Sequence, residues 1–254
     1  MRFASLGSGS GGNALIVEAG ATRVLLDCGF GLSEMAARLG RLGLAPADLD
    51  AVVVTHEHDD HLGGVARFAR RHELPVYLTH GTLTAMDGAR TLIADATVID
   101  SHTPFAIGDV EVHPYPVPHD AREPAQFVFG DGAARVGVLT DAGEATPHII
   151  EMLSGLEALV IECNHDPGML ANGSYPVQLK RRIAGRLGHL DNAAAAGLVA
   201  SLDCTRLKHV VAAHLSRQNN TPGLARDALA GALGCAPDWV TVATQDEGFG
   251  WREI

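Results

Sequence analysis

Ala51-Val52-Val53-Val54-Thr55-His56-Glu57-His58-Asp59-Asp60-His61 joins a short apolar run to three histidines and Asp60, all four falling within six positions. The run has the length and branched residues of a buried strand. Gly63-Gly64 follows and opens a helical pattern. Imidazole and carboxylate suit zinc and its neighbours. In an extended loop, His56 and His58 point to the same side, and Asp60 and His61 can turn to a second metal. Metal ligands at the carboxyl end of a core strand suggest an enzyme.

The same context recurs further along. His119 follows the run Val110 to Val117 after Pro118, Asp141 follows Val136-Gly137-Val138-Leu139-Thr140, and His214 follows Val210-Val211-Ala212-Ala213. Any one of these alone reads more readily as a structural residue. Four strand ends that carry only His and Asp are hard to read that way.

Around these runs the pattern alternates between strands and helices. Strands are expected at Arg2 to Leu6, Asn13 to Glu18, Thr22 to Asp27, Ala51 to Thr55, Pro75 to Leu78, Val98-Ile99, Phe105 to Ile107 and Val110 to Val117. Further strands fall at Phe127 to Gly130, Val136 to Thr140, Ala158 to Glu162, Leu207 to Ala213, Trp239 to Ala243 and Gly248 to Arg252. Helical spacing covers Leu32 to Leu42 with Ser33 as its N-cap, Leu62 to His72, Thr146 to Leu153, Pro176 to Leu187, Asn192 to Leu202 and Pro222 to Leu233. Gly7-Ser8-Gly9-Ser10-Gly11-Gly12 is a turn, and it lacks the Gly-Lys-Ser/Thr ending of a nucleotide P-loop. Two halves, each a sheet with helices on its outer side, give an α/β fold: a four-layer αβ/βα sandwich.

At 254 residues and without a linker, repeat or low-complexity tract, the chain reads as a single domain over 1–254. Hydrophobic residues make up 46%, enough for a large core. No basic, apolar leader and no stretch of roughly 18 apolar residues is visible, so no membrane segment is expected. Cys28, Cys163, Cys204 and Cys235 are scattered and form no Cys-x-x-Cys pair, which fits a reducing, cytoplasmic compartment. Cys163 reads as packing rather than as a nucleophile. A net charge of −11 argues against broad electrostatic binding of nucleic acid or membrane, though a local patch stays open at Lys180-Arg181-Arg182 and Arg186.

Thr55-His56-Glu57-His58-Asp59-Asp60-His61 resembles the His-x-His-x-Asp-His signature of the metallo-β-lactamase superfamily. Asp27 resembles its early structural aspartate, His119 its third-motif histidine, Asp141 its bridging aspartate, and His214 in His214-Leu215-Ser216 its last metal histidine. The resemblance runs from Ser5 to about Trp251. It implies two divalent metal ions, zinc or manganese. His56, His58 and His119 would form site one, Asp60, His61 and His214 site two, with Asp141 bridging. A water between the metals would deprotonate near neutral pH and attack phosphorus or carbonyl carbon, with Asp60 orienting it. Diiron oxygen-reducing relatives carry glutamate where His58 stands, so histidine favours hydrolysis.

A narrower resemblance is to the YycJ/WalJ branch. It rests on Ser8-Gly9-Ser10-Gly11-Gly12-Asn13, Glu162-Cys163-Asn164-His165-Asp166, Gly188-His189-Leu190-Asp191-Asn192 and His214-Leu215-Ser216-Arg217-Gln218-Asn219-Asn220. Asp191 departs from the serine usual at its position. The branch implies a DNA exonuclease, with 5′ polarity as one form, related to RNase Z. His189 then resembles a phosphate-contacting or leaving-group-protonating histidine. Lys180, Arg181, Arg182 and Arg186 would meet the polyphosphate chain, and Asp27, Asn164 and His165 would support the ligands. The alternatives left open are a small-molecule hydrolase (cyclic phosphodiesterase, thioesterase or lactonase) and a non-catalytic binding protein on the same fold.

Overall fold

The computed structural model describes residues 1–86, 93 and 95–254. Strands β1 (Arg2–Gly7), β2 (Ala14–Ala19), β3 (Thr22–Leu26), β4 (Ala51–Val53), β5 (Val76–Thr79) and β6 (Ala96–Ile99) run side by side in that order. The last strand, β14 (Phe249–Glu253), returns from the far end of the chain and pairs antiparallel with the free edge of β1. The second sheet is ordered β13 (Val240–Val242), β12 (His209–Ala213), β11 (Ala158–Glu162), β10 (Arg135–Leu139), β9 (Ala125–Gly130), β8 (Val110–Pro116), β7 (Phe105–Ile107). Each sheet is antiparallel on one side and parallel on the other. The parallel parts are β3 to β6 and β10 to β13.

Alternation along the strands divides the core into three. Val24 and Leu26 of β3 and Val53 of β4 join Phe127, Phe129, Val138 and Val160 between the two sheets. Their neighbours Leu25 and Val52 point the other way, under Met35 and Leu39 of α1 (Leu32–Arg41) and Phe68 of α3 (Val65–His72). On the second sheet Leu159 and Ile161 point outward, under Ile149 and Leu153 of α5 (Pro147–Leu153), Leu198 of α8 (Asn192–Ala200) and Leu229 of α9 (Pro222–Leu233). Strands apolar on both faces are what a parallel sheet covered on both sides requires. The layers therefore stack helix, sheet, sheet, helix, the expected αβ/βα sandwich. Among the described residues, no helix is long and apolar enough to cross a membrane.

Local structure departs from the sequence expectation in five places. Helix α1 is capped by Gly31, which makes no side-chain cap, rather than by Ser33. The expected helix Leu62 to His72 is two, α2 (Asp59–Leu62) and α3, broken at Gly63-Gly64. Gly64 donates its N–H to Cys28 O at 2.7 Å, and a Cβ there would lie 2.0 Å from Phe30 O. That close approach locks the histidine loop against the end of β3. The basic helix, α7 (Val177–Ile183), stops four residues before Leu187 because His189 N turns back to Ile183 O. Two short helices were not foreseen: α4 (His80–Ala85), capped by Thr79, and α6 (Pro167–Asn172), capped by Asp166. At six residues each they are too short to display a 3.6-residue period.

Candidate metal centre

The carboxyl ends of β3, β4, β10, β11 and β12 meet at one edge of the sandwich. Asp27 directly follows β3, Asp141 follows β10 by two residues, Glu162 ends β11 and His214 directly follows β12. Asp27, Asp141 and His214 have φ of 60°, 54° and 54°, and among the described residues the fourth non-glycine at positive φ is Glu73. Left-handed backbone is unfavourable for residues with a Cβ and persists where surrounding structure over-determines it. Here it turns each chain sharply at the strand end and carries the side chain across the gap between the sheets.

Hydrogen bonds then fix which ring nitrogen of each imidazole is free. Thr55 Oγ1 donates to Asp27 Oδ2 at 2.9 Å and accepts from His56 Nδ1 at 3.0 Å. His61 Nδ1 donates to Asp27 Oδ2 at 2.8 Å, and His119 Nδ1 to Gly188 O at 3.1 Å. His214 Nδ1 and His189 Nδ1 both reach Glu162 Oε1, at 3.2 and 2.8 Å. In His56, His61, His119 and His214 the Nε2 lone pair is thereby left to face the centre, the arrangement that outer partners impose on ligating histidines.

Two donor groups result. In the first, His58 Nδ1 lies 3.0 Å from His56 Nε2 and 3.2 Å from His119 Nε2. Three ring nitrogens aimed at one point cannot satisfy one another with protons. Their spacing is close to the ~3.3 Å edge of a tetrahedron with Zn–N distances of about 2.0–2.1 Å. In the second, Asp60 Oδ2 lies 3.4 Å from both His61 Nε2 and His214 Nε2. Buried Asp141 Oδ2, 2.9 Å from His61 Nε2 but without hydrogen-bond geometry, stands between the groups. It shares ligand-range spacing with His56 and His61 on one side, and its carboxylate with Glu162, His189 and His214 on the other. The donor chemistry fits two divalent cations: nitrogen-rich on one side, mixed nitrogen and carboxylate oxygen on the other.

The electrostatics favour positive charge at the second group. Burial opposes it, but Asp141 and Asp27 hold the His61 imidazole well above its usual range. Burial likewise opposes charge on His189, yet Glu162 and Asp141 push it up to about 11. His214 is raised to about 9 against the same penalty. Asp60 and Asp141, despite burial, are held below the carboxylate range by these imidazoles, and Glu162 is lowered to about 2. At the first group burial dominates and depresses His56 and His119. Those two imidazoles are thus favoured in the neutral form, the form that binds a metal.

A cleft of about 340 Å³ opens over the centre, walled by Ser10, Tyr175, Arg182, Ile183, Asn164 and Ser216. Of the basic run, Arg182 reaches this wall. Lys180 Nζ donates to Ala171 O at 2.7 Å, Arg186 pairs with Glu144 at 2.7 Å, and Arg181 is exposed. Asn164 Nδ2 donates to His214 O at 3.0 Å, while buried His165 lies beside Asn164 and belongs to none of the donor groups. Cys163 is buried, and burial pushes its thiol up, as suits packing. Asp191 caps α8 by accepting from Ala194 N, so its departure from serine preserves a capping role. Asn13 fastens the glycine turn, accepting from Gly9 N at 2.8 Å, and its amide lies 3.3 Å from Asp60 Oδ2. Sequence reasoning passed over Glu162 as a site residue, although it ends an apolar run as His214 nearly does.

A family model described as Beta-lactamase superfamily domain matches residues 22–215. Exodeoxyribonuclease YycJ of Bacillus anthracis is 34% identical over 259 aligned residues, covering 100% of this chain and 92% of that protein. The chain belongs to the metallo-β-lactamase superfamily. Exodeoxyribonuclease WalJ of Streptococcus pneumoniae is 31% identical over 228 residues, covering 88% of this chain and 85% of that one. Among solved structures, the metallo-beta-lactamase fold protein YhfI from Bacillus subtilis superposes with a TM-score of 0.74 at 16% identity, covering 99% of both chains. That last likeness concerns the superfamily's fold.

Proposed function

We propose that this superfamily member is a dinuclear metal-dependent phosphodiesterase that trims DNA from an end, with a 5′ end as the favoured start. The observation that carries the metal reading is the convergence of free imidazole nitrogens from His56, His58 and His119 beside the carboxylate-bridged group of Asp60, His61, Asp141 and His214. The DNA reading is supported by the two curated relatives, both named exodeoxyribonucleases and both matched over most of their length.

His56, His58 and His119 would hold one cation, Asp60, His61 and His214 the other, with Asp141 between them. Imidazole-rich donors suit zinc, and the carboxylates also admit manganese. The chemistry that two such cations supply is Lewis acidity, a more acidic water and stabilised charge on phosphoryl oxygens. Asp60 is partly buried at the cleft, and its carboxylate accepts a hydrogen bond from the attacking water and so orients it. His189 is fixed at Nδ1 by Glu162, and its Nε2 is free to donate to a phosphoryl or leaving oxygen. Arg182 presents a guanidinium to a bound phosphate at the cleft wall. Lys180, Arg181 and Arg186 lie further out and would meet phosphates beyond the reacting one. Asp27 and Asn164 orient ligands, and His165 supports Asn164. The four free thiols fit a cytoplasmic setting.

A second reading has its own support. With one arginine on the cleft and a net charge of −11, a small phosphodiester would also suit the site. Purified protein with manganese or zinc should be given end-labelled DNA with and without a 5′ phosphate, bis-p-nitrophenyl phosphate and an acyl thioester. Mononucleotide release from DNA, favoured by a 5′ phosphate, is the expected result. Turnover of the thioester alone would reject the phosphodiesterase reading.

A further inference from the structure

Asp120 follows His119 and is held by its backbone N–H on Leu187 O at 3.0 Å, in the loop after α7. Its two carboxylate oxygens face different elements. Oδ2 accepts from Arg182 Nε at 2.5 Å, so Asp120 grips the guanidinium that α7 presents to the cleft. One donor of five is used this way, and the other four N–H groups stay available to a phosphate. Oδ1 is shielded from solvent and, among the described residues, has no hydrogen-bond partner. It points toward the first nitrogen group, 3.8 Å from His58 Nε2 and 3.5 Å from His119 Nε2.

His58 is the matching orphan. His56, His61, His119, His189 and His214 each anchor Nδ1 on Thr55, Asp27, Gly188 or Glu162. His58 instead turns Nδ1 to the centre, and among the described residues its Nε2 has no hydrogen-bonded acceptor. A ligating imidazole whose other N–H lacks an acceptor is poorly oriented and less basic. An unfilled carboxylate oxygen therefore faces an unfilled N–H donor, and a shift of under about 1 Å brings them to hydrogen-bond distance.

We propose that Asp120 is a positioning residue serving two parts of the site at once: Oδ1 orients His58 and Oδ2 orients Arg182. The inference rests on the metal reading above. It assigns one carboxylate to set both the geometry of the nitrogen-rich group and the phosphate-facing wall.

The test compares Asp120→Ala, Asp120→Glu and Arg182→Ala with the wild type by titrating apo-protein with zinc and manganese calorimetrically, and by measuring KM and kcat on end-labelled DNA. Asp120→Ala should weaken one of two cation sites by about 10–100-fold and also raise KM. Arg182→Ala should raise KM with cation affinity unchanged. The longer carboxylate of Asp120→Glu should recover part of both losses. Thermal melts check that each variant is folded. Two wild-type cation affinities in folded Asp120→Ala, or equal loss of cation affinity in Arg182→Ala, would overturn the proposal. A wild type that binds no divalent cation is a separate outcome, and it removes the metal reading together with this inference.

Discussion

Asp27 shows how one buried carboxylate sets two ligands. It accepts from Thr55 Oγ1 and from His61 Nδ1, and Thr55 in turn fixes His56. Asp27→Asn keeps the shape but loses the charge that pairs with His61. It should lower cation affinity by about 10–100-fold, measurable by competition with a chelating dye. Unchanged affinity would remove Asp27 from the orienting network. Glu162 is fully buried and accepts from His189, His214 and the backbone N–H groups of Ala142 and Leu190. In Glu162→Gln an amide N–H₂ would face these donors, at a cost of about 3–5 kcal/mol, read from urea denaturation. The sequence displayed His119, Asp141 and His214 because each stands after an apolar run. Glu162 obeys the same rule, but Asn164 and His165 follow it closely and are buried too, and its bonds to His189 and His214 are what single out the glutamate. Arg182 could not be told from Arg181, because the phase of a two-turn helix decides which one meets the cleft.

At the scale of elements, the site depends on how tightly its loops approach. A Cβ on Gly143 would lie 2.3 Å from Arg186 O and 2.6 Å from Gly188 N. The loop after Asp141 is thus pressed against the segment that carries His189. Gly143→Ala should push that segment outward and lower kcat on DNA by tenfold or more, the scale expected when a positioned group moves by about 1 Å. Cation affinity should fall less, since His56, His58 and His61 sit on another loop. Away from the site, Glu18 joins β1, β2 and β3 by pairing with Arg2 and Arg23, each at 2.6 Å. Burial opposes the charge, but the two guanidiniums hold this carboxyl below its usual range. A depressed folded pKa stabilises above the unfolded value, and the contribution is lost as pH falls through the folded one. Glu18→Gln should therefore cost up to about 1 kcal/mol at neutral pH, a difference that shrinks below about pH 4. Urea midpoints at both pH values check the sign. Strand positions were legible because alternation and unbroken apolar runs report burial directly. The breaks at Gly63-Gly64 and after Ile183 were not, since they follow from contacts with distant loops.

For the whole molecule, the returning strand β14 closes the first sheet with residues from the far end of the chain. Phe249 packs in the same core as Phe3 and Phe127. Such a shared interior predicts one cooperative unfolding transition over residues 1–254, with calorimetric and van't Hoff enthalpies equal. Two resolved transitions would contradict a single domain. Ligands drawn from the ends of β4, β8, β10 and β12 also predict that chelation lowers Tm, because cations bound only by the folded state stabilise it. The central claim is that these strand ends hold two cations that together hydrolyse DNA. It is tested most directly by measuring bound zinc or manganese per chain in the same sample whose release of mononucleotides from end-labelled DNA is followed. Two cations per chain with shortening from an end, and one cation and the shortening lost in His58→Ala, are the predicted result. Intact DNA in the presence of two bound cations, or shortening undiminished in His58→Ala, would contradict it.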